Sequence, residues 1–468
     1  MQLRATPGRL PSQPLGSSRV GALAHAVHIL SGGALRVALV PPATSTEAIA
    51  LLFLSPPGNP ARGRFSACVS AAHGACYKRA MSNTRPGPAT LAVHSGTDET
   101  GNAPLTVPIV QSTTFRFESA AQVLAYSRGD SGLFMYSRDE NPTVHAAEEA
   151  LARLSGAESA VAFGSGMGAM TTALLGLVSA GDEVIAATAL YGGTYKLLRD
   201  VLTRFGVRLR PVEPDRIAAE VADRPARLCV FESPTNPTLR VIDIKAVALA
   251  CGNAGTISVM DSTFGPPPLQ RPIELGVDVV MHSATKYLNG HSDHLGGVLL
   301  GSRARIDPLR ALSRRLGAVL DAQVAYDLLR GLKTLPLRVE RQSATALRIA
   351  RWLSEQPRVQ RVLYPGLPSH PDHELARRQM SAFGGMVSFS LGTKERAFRL
   401  WDRLRLVARA ASLGGVETVS SLPILFSHTG YSAQELARAG VDEGMVRLSV
   451  GLEDADDLIA DLAQALEV

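Results

Sequence analysis

Lys286 closes the run His282-Ser283-Ala284-Thr285-Lys286-Tyr287, directly after an apolar stretch from Val277 to Met281. Twenty-five positions earlier a second apolar run, Thr256 to Met260, ends on Asp261. A primary amine and a carboxylate at the ends of two buried strands suit pyridoxal 5′-phosphate. The amine condenses with the aldehyde, and the carboxylate keeps the pyridine nitrogen protonated so that the ring accepts electrons. Ser283 and Thr285 lie within reach of the same pocket as hydroxyl donors for the phosphate. Singly, each residue has a plainer reading: a lone lysine is usually a solvated charge, and a buried aspartate a cap or turn residue. Ser283 and Lys286 also have the Ser-x-x-Lys spacing of acyl-serine enzymes, but the Ser-Asp-Asn and Lys-Thr-Gly companions are absent from the sequence.

A glycine-rich loop, Gly164-Ser165-Gly166-Met167-Gly168-Ala169, lies between an expected strand, Ser159 to Phe163, and an expected helix, Met167 to Val178. It fits the dinucleotide fingerprint, which requires an acid about 20 residues on, at the end of the next strand, for the ribose hydroxyls. That strand, Glu183 to Ala187, leads into Ala186-Ala187-Thr188 with no carboxylate, so the dinucleotide reading loses. What survives is the shared physics: amides at a helix N-terminus hold any phosphate.

Around these residues, strands alternate with helical stretches. Further strands are expected at Leu228 to Phe231, Thr256 to Met260, Val277 to Met281 and Gly297 to Leu300. This pattern predicts an α/β fold with a mostly parallel sheet and ligands at the carboxyl ends of its strands. A helix-rich connector, Ala322 to Ile349, leads to a smaller α/β unit with strands at Val359 to Leu363 and Met386 to Ser390 and a last helix from Ala455 to Leu466.

The chain has 468 residues and a formal charge of +6, but residues 1–80 hold eight basic side chains and only one acid, Glu47. The remainder is therefore near neutral, with no basic stripe and interleaved aromatics, which argues against nucleic acid. Residues 1–80 are rich in Ala, Ser, Pro, Gly and Arg and show no sustained period. They read as a disordered or transit-like extension, or as an over-extended start ahead of Met81, the reading favoured here. Cys68, Cys76, Cys229 and Cys251 form neither a metal pair nor a dense disulfide framework, so no metal site is expected and a cytoplasmic setting is. No apolar run reaches the ~20 residues that span a bilayer, so no membrane association is expected.

Several ordered runs carry a family resemblance: Tyr136-Ser137-Arg138 with Asn141-Pro142-Thr143, Leu190 to Thr194, Glu232 to Pro237, Asp261 to Phe264, Ser283 to Asp293, Arg330 to Leu335, Ser412 to Gly415, and Arg447 to Gly451. From about Leu91 onward the chain resembles the Cys/Met-metabolism (trans-sulfuration) family of pyridoxal-phosphate enzymes. The resemblance implies the aspartate-aminotransferase-like fold, type I. It implies an N-terminal arm at 81–142 that contacts a neighbouring subunit, a cofactor domain at 143–335 and a C-terminal domain at 336–468.

By the same resemblance, Lys286 carries the cofactor and moves the α- and β-protons of an amino-acid substrate, and Asp261 pairs with the pyridine nitrogen. Gly166 and Met167 supply amides to the phosphate beside Ser283 and Thr285, and Thr263 joins the cofactor-binding set. Tyr191 stacks on the ring and takes part in proton transfer. Tyr136 and Arg138 reach the phosphate of the neighbouring subunit, which implies a homo-oligomer, a dimer of dimers. Arg447 clamps the substrate carboxylate with Asn236 and Ser412.

The implied activity is cleavage of a C–S bond of cystathionine, γ-elimination favoured, to a thiol amino acid, ammonia and a 2-oxo acid. Its rivals are γ-replacement on an acylated homoserine, as in cystathionine γ-synthase, and β-elimination. Gly193 and Ser292 depart from the methionine γ-lyase pattern, and Ala411 stands where many γ-synthases and γ-lyases have glutamate. A catalytically silent member of the fold would lack Lys286 or Asp261, and both are present.

Overall fold

Seven short strands, six of them apolar runs, build the sheet that carries the site. They are β4 (Ser159–Phe163), β5 (Glu183–Ala187), β6 (Arg208–Val212), β7 (Leu228–Glu232), β8 (Ile257–Asp261), β9 (Val279–His282) and β10 (Gly297–Gly301). The computed structural model describes residues 86–97, 103–129 and 132–467, with three short strands nearer the N-terminus. Those strands, β1 (Val27–Leu30), β2 (Ala34–Ala38) and β3 (Leu51–Phe53), pair antiparallel in that order within a unit spanning Met1–Ser82. The other expectations for residues 1–80 lie outside the described residues.

In the second unit, Asn83–Val468, the sheet order is β4-β10-β9-β8-β7-β5-β6. Strands β6, β5, β7, β8 and β9 run parallel, and β10 is antiparallel to both β9 and β4. Every residue of β4, β7, β8, β9 and β10 is buried. Strands covered on both faces need continuous apolar runs, which is why these were legible without alternation. The observed bounds sit within one or two residues of those expected. Strand β6 was missed because Arg208, Arg210 and Pro211 interrupt its apolar character; it is the edge strand, where proline and charge are tolerated.

Helices begin where side chains cap them. Asn141 accepts from the amides of Thr143 and Val144 to start the helix Pro142–Ser155, which ends at Gly156 with φ 72°. Ser165 accepts from Gly168 to start the helix Gly166–Leu177. The connector is two helices, Ala322–Lys333 and Leu335–Ser354, broken at Thr334. Beyond it a second sheet, β11 (Arg361–Leu363), β12 (Met386–Ser390), β15 (Met445–Ser449), β14 (Val419–Ser421) and β13 (Ala408–Arg409) in that order, surrounds a core of its own. Among the described residues no helix is long and apolar enough to cross a membrane.

Candidate active site

Parallel strands leave their carboxyl ends on one side, and four residues there set the site. Glu232 and Asp261 end β7 and β8 as register partners. Two residues past β8, the Thr263 amide donates to Asp261 Oδ1 at 2.9 Å, and Thr263 Oγ1 accepts from the Ser283 amide at 2.9 Å. Lys286 follows in the turn after β9, where its backbone amide donates a hydrogen bond to the Ser283 carbonyl at 3.1 Å. The buried Arg338 holds the other side of that turn by donating to the carbonyls of Tyr287 and Gly331, each at 2.8 Å.

The second sheet delivers the remaining groups. Arg447, on β15, is 6% exposed; Nη1 donates to Asn236 Oδ1 at 3.0 Å and Nη2 to the Ser412 carbonyl at 3.1 Å. Its Nε is buried without a partner, an orphaned donor on a residue that lines a cavity. Ser412 has φ 82°, a left-handed conformation that costs a non-glycine residue about 1–3 kcal/mol. That conformation turns its carbonyl to Arg447 while its Oγ accepts from Lys286 Nζ at 2.7 Å. One strained residue thus links the amine to the guanidinium.

These residues enclose a cavity of about 360 Å³, bordered also by Gly166, Met167, Tyr191 and Thr285. A larger cleft, about 540 Å³, lies around Arg240 and Arg361 and touches neither Lys286 nor Asp261. Convergent chemistry rather than size identifies the site.

The charge states follow from burial. Desolvation first, then the Arg447 charge, draws the Lys286 amine down to about 8, so a proton-accepting amine is accessible near neutrality. Burial draws Arg447 down to about 10, which still leaves it cationic at pH 7. Desolvation raises Asp261. Glu232 is pushed well up, by burial first and by Asp261 second. In the cofactor-free protein, covalent trapping of Lys286 by an aldehyde and borohydride is expected to reach half its maximum near pH 8. The neutral fraction grows as pH rises through the lowered value. Peptide mapping across pH 6–11 checks this, against surface lysines that keep rising toward ~10.4.

Glu232 was missed as a site residue. Its carboxylate accepts from the amides of Tyr191 at 2.7 Å and of Asn236, fixing two lining residues at once. The signal was in plain view, an apolar strand ending on an acid, just as for Asp261.

Three residues expected to bind the cofactor have partners of their own within this chain. The Thr285 hydroxyl borders the cavity but is engaged with Gly296, accepting from its amide at 2.9 Å and donating to its carbonyl at 3.2 Å. The chain turns there into β10, and both backbone groups need partners. Tyr136 and Arg138 are absent from the cavity wall. Tyr136 is 39% exposed, and Arg138 lies 5.4 Å over its ring and donates to the Arg314 carbonyl at 3.3 Å.

The cavity suits a phosphorylated pyridine aldehyde. A Cβ on Gly166 would lie 2.9 Å from Ser283 Cβ, so only glycine leaves the cradle open at the helix start, where the Gly166 and Met167 amides precede the capped Gly168. Asp261 lies buried in the same cavity as Lys286. Gly166→Ala is expected to weaken cofactor retention by about 1–3 kcal/mol of overpacking, roughly 5- to 150-fold in Kd, measured by reconstitution titration.

Comparison with known proteins points the same way. The family described as Cys/Met metabolism PLP-dependent enzyme matches residues 89–467. L-methionine gamma-lyase of Pseudomonas putida is 45% identical over 393 residues, 82% of this chain and 98% of its own. Cystathionine gamma-lyase of Bacillus subtilis is 40% identical over 382 residues, 81% of this chain and 98% of its own. The crystal structure of cystathionine gamma synthase from Xanthomonas oryzae in complex with cystathionine matches with a TM-score of 0.77 at 36% identity, over 82% of this chain and 98% of that one.

Proposed function

The chain belongs to the Cys/Met metabolism family of PLP-dependent enzymes, and on that premise we propose that it cleaves a C–S bond of a sulfur amino acid by γ-elimination. The observation that carries this reading is Lys286 Nζ, 2.7 Å from Ser412 Oγ, in one cavity with Asp261 and the Arg447–Asn236 pair. When bound, pyridoxal phosphate supplies an aldehyde for the substrate amine and a conjugated ring that takes up the electron pair released at Cα.

The protein's own groups do the rest in this proposal. Gly166, Met167 and Ser283 hold the phosphate, and Asp261 keeps the proton on the pyridine nitrogen with Thr263 beside it. Arg447 fixes the α-carboxylate with help from Asn236 and the Ser412 carbonyl. Lys286, as a neutral amine, takes the proton from Cα, gives it up again and, once more neutral, takes one from Cβ. Tyr191, on the wall, covers the ring and assists proton transfer. Tyr136 and Arg138, exposed and outside their own cavity, are proposed to serve the phosphate of a neighbouring subunit, so the active unit is at least a dimer. The cytoplasmic setting expected from cysteine usage belongs to the same proposal.

Cystathionine is the leading substrate on the run Gly290-His291-Ser292-Asp293 and on Tyr191-Gly192-Gly193. A second reading, L-methionine, rests on a specific observation. Ser292, which with Gly193 departs from the methionine γ-lyase pattern, is not in the cavity wall and donates to Glu417 at 3.1 Å. Ala411 does line the cavity, with Leu295, Phe264, Leu413 and Phe426. This wall is apolar, which suits a thioether methyl better than a second ammonium and carboxylate. Incubation with each substrate, with the 2-oxo acid identified by mass spectrometry, tests both readings. 2-Oxobutyrate with cysteine supports the first, and 2-oxobutyrate with methanethiol the second. Pyruvate with homocysteine means β-elimination and overturns the γ assignment.

A further inference from the structure

One polar pair on the cavity wall has no role in the mechanism above. Ser427 lines the cavity, and His428 beside it is 2% exposed. His428 Nδ1 lies 2.9 Å from Ser427 Oγ, while its Nε2 is buried without a partner and its ring packs edge-on to Tyr431, centroids 4.9 Å apart. Burial first, then the charges of Arg447 and Lys196, draws the imidazole down to about 4, so at neutral pH it carries one ring proton. With that proton on Nε2, a donor is buried with nothing to accept it. With it on Nδ1, only a lone pair is orphaned, and orphaned N–H groups are the rarer and costlier case. The proton therefore belongs on Nδ1, donated to Ser427 Oγ, and the serine's own hydrogen is left free for another acceptor.

The segment is held where that hydrogen matters. The Ser427 carbonyl packs so closely on Gly192 that a Cβ there would come within 2.2 Å of it, and Lys196 Nζ donates to the Thr429 carbonyl at 3.0 Å. Ser427 thus stays beside Tyr191. In the proposed pose, with the substrate carboxylate at Arg447 and Lys286 at Cα, the substrate side chain is taken to lie against the part of the wall that includes Ala411, Phe426 and Ser427.

We propose that Ser427 is a catalytic residue that hydrogen-bonds the departing sulfur, and that His428 is the positioning residue that turns its hydroxyl outward. This rests on the γ-elimination reading. The pair left at Cβ by deprotonation forms the Cβ=Cγ double bond as the Cγ–S bond breaks with its electron pair leaving on sulfur, and the serine shares that charge without losing its proton; the thiolate is protonated afterwards by water.

The test uses the holoenzyme in single-turnover thiol release, with γ-thioether substrates whose leaving thiols differ in acidity. Ser427→Ala is expected to lose roughly tenfold on the least acidic thiol, below the 10²–10³ of an oxyanion donor because sulfur is a weak acceptor, and less on the most acidic. The dependence of rate on thiol pKa steepens while KM holds. His428→Asn, whose amide also donates, is expected to lose less than Ser427→Ala and to keep the wild-type slope. An unchanged slope in Ser427→Ala overturns the proposal. Because a buried histidine variant can misfold, nitrogen-15 NMR of the wild-type imidazole, assigned by the signal missing in His428→Asn, reads the tautomer directly. A proton on Nε2 also overturns it. A wild-type enzyme that releases no thiol from any of these substrates overturns the elimination reading itself, whichever tautomer is seen.

Discussion

Lys286→Ala is expected to lower turnover of any sulfur amino acid by roughly 10³-fold or more, because in the proposed mechanism one group serves as both cofactor anchor and proton carrier, and a positioned acid–base group alone is worth about 10²–10⁴. The fold is expected to survive. The amine is drawn down to about 8 by desolvation, so its charged form is disfavoured in the native site and its removal leaves no buried partner charge uncompensated. The group left behind, Ser412 Oγ, is a neutral hydroxyl that lies in the same cavity. Thermal unfolding at pH 7 should therefore give a Tm at or slightly above that of the parent. Turnover within tenfold of the parent would remove Lys286 from its proposed role, whereas lost turnover with a collapsed Tm would indicate a folding defect.

Arg447→Lys carries the second largest expected effect. The guanidinium is 6% exposed and forked between Asn236 Oδ1 and the Ser412 carbonyl. An ammonium cannot satisfy that planar geometry and still hold a carboxylate bidentately. Truncating one partner of a buried charge-assisted pair costs about 2–5 kcal/mol, or roughly 30- to 5,000-fold in kcat/KM. Most of the loss should appear as raised KM, because the α-carboxylate is held equally before and during reaction. A second signature is electrostatic. Arg447 is the second cause of the lowered Lys286 value, so Arg447→Met should move that titration upward, and aldehyde trapping of Lys286 should need a higher pH. An unchanged KM in Arg447→Lys, or an unmoved trapping profile in Arg447→Met, counts against the clamp.

Lys286, Asp261 and the phosphate loop were legible because buried parallel strands are continuous apolar runs, and functional groups sit where those runs stop. By that rule Glu232 was equally legible, since it ends an apolar strand just as Asp261 does. The edge strand β6 was not legible, since its charges and proline erase the pattern. The substrate signatures fall differently in the fold: Ser292 lies outside the cavity wall, whereas Ala411 forms part of it.

By itself, then, the sequence determined the architecture, the cofactor and the lysine–carboxylate pair, because each depends on residues close to strand ends and on local hydrophobic pattern. Only the tertiary structure decided what those groups feel. Arg447 is separated from Asn236 by 211 positions and Ser412 from Lys286 by 126, and their meeting depends on how the second sheet closes over the first. The left-handed turn at Ser412, the burial that lowers Lys286 and the tautomer assigned to His428 all arise from that closure. Burial and hydrogen-bond geometry are properties of the packed chain, and no local pattern of residues encodes them.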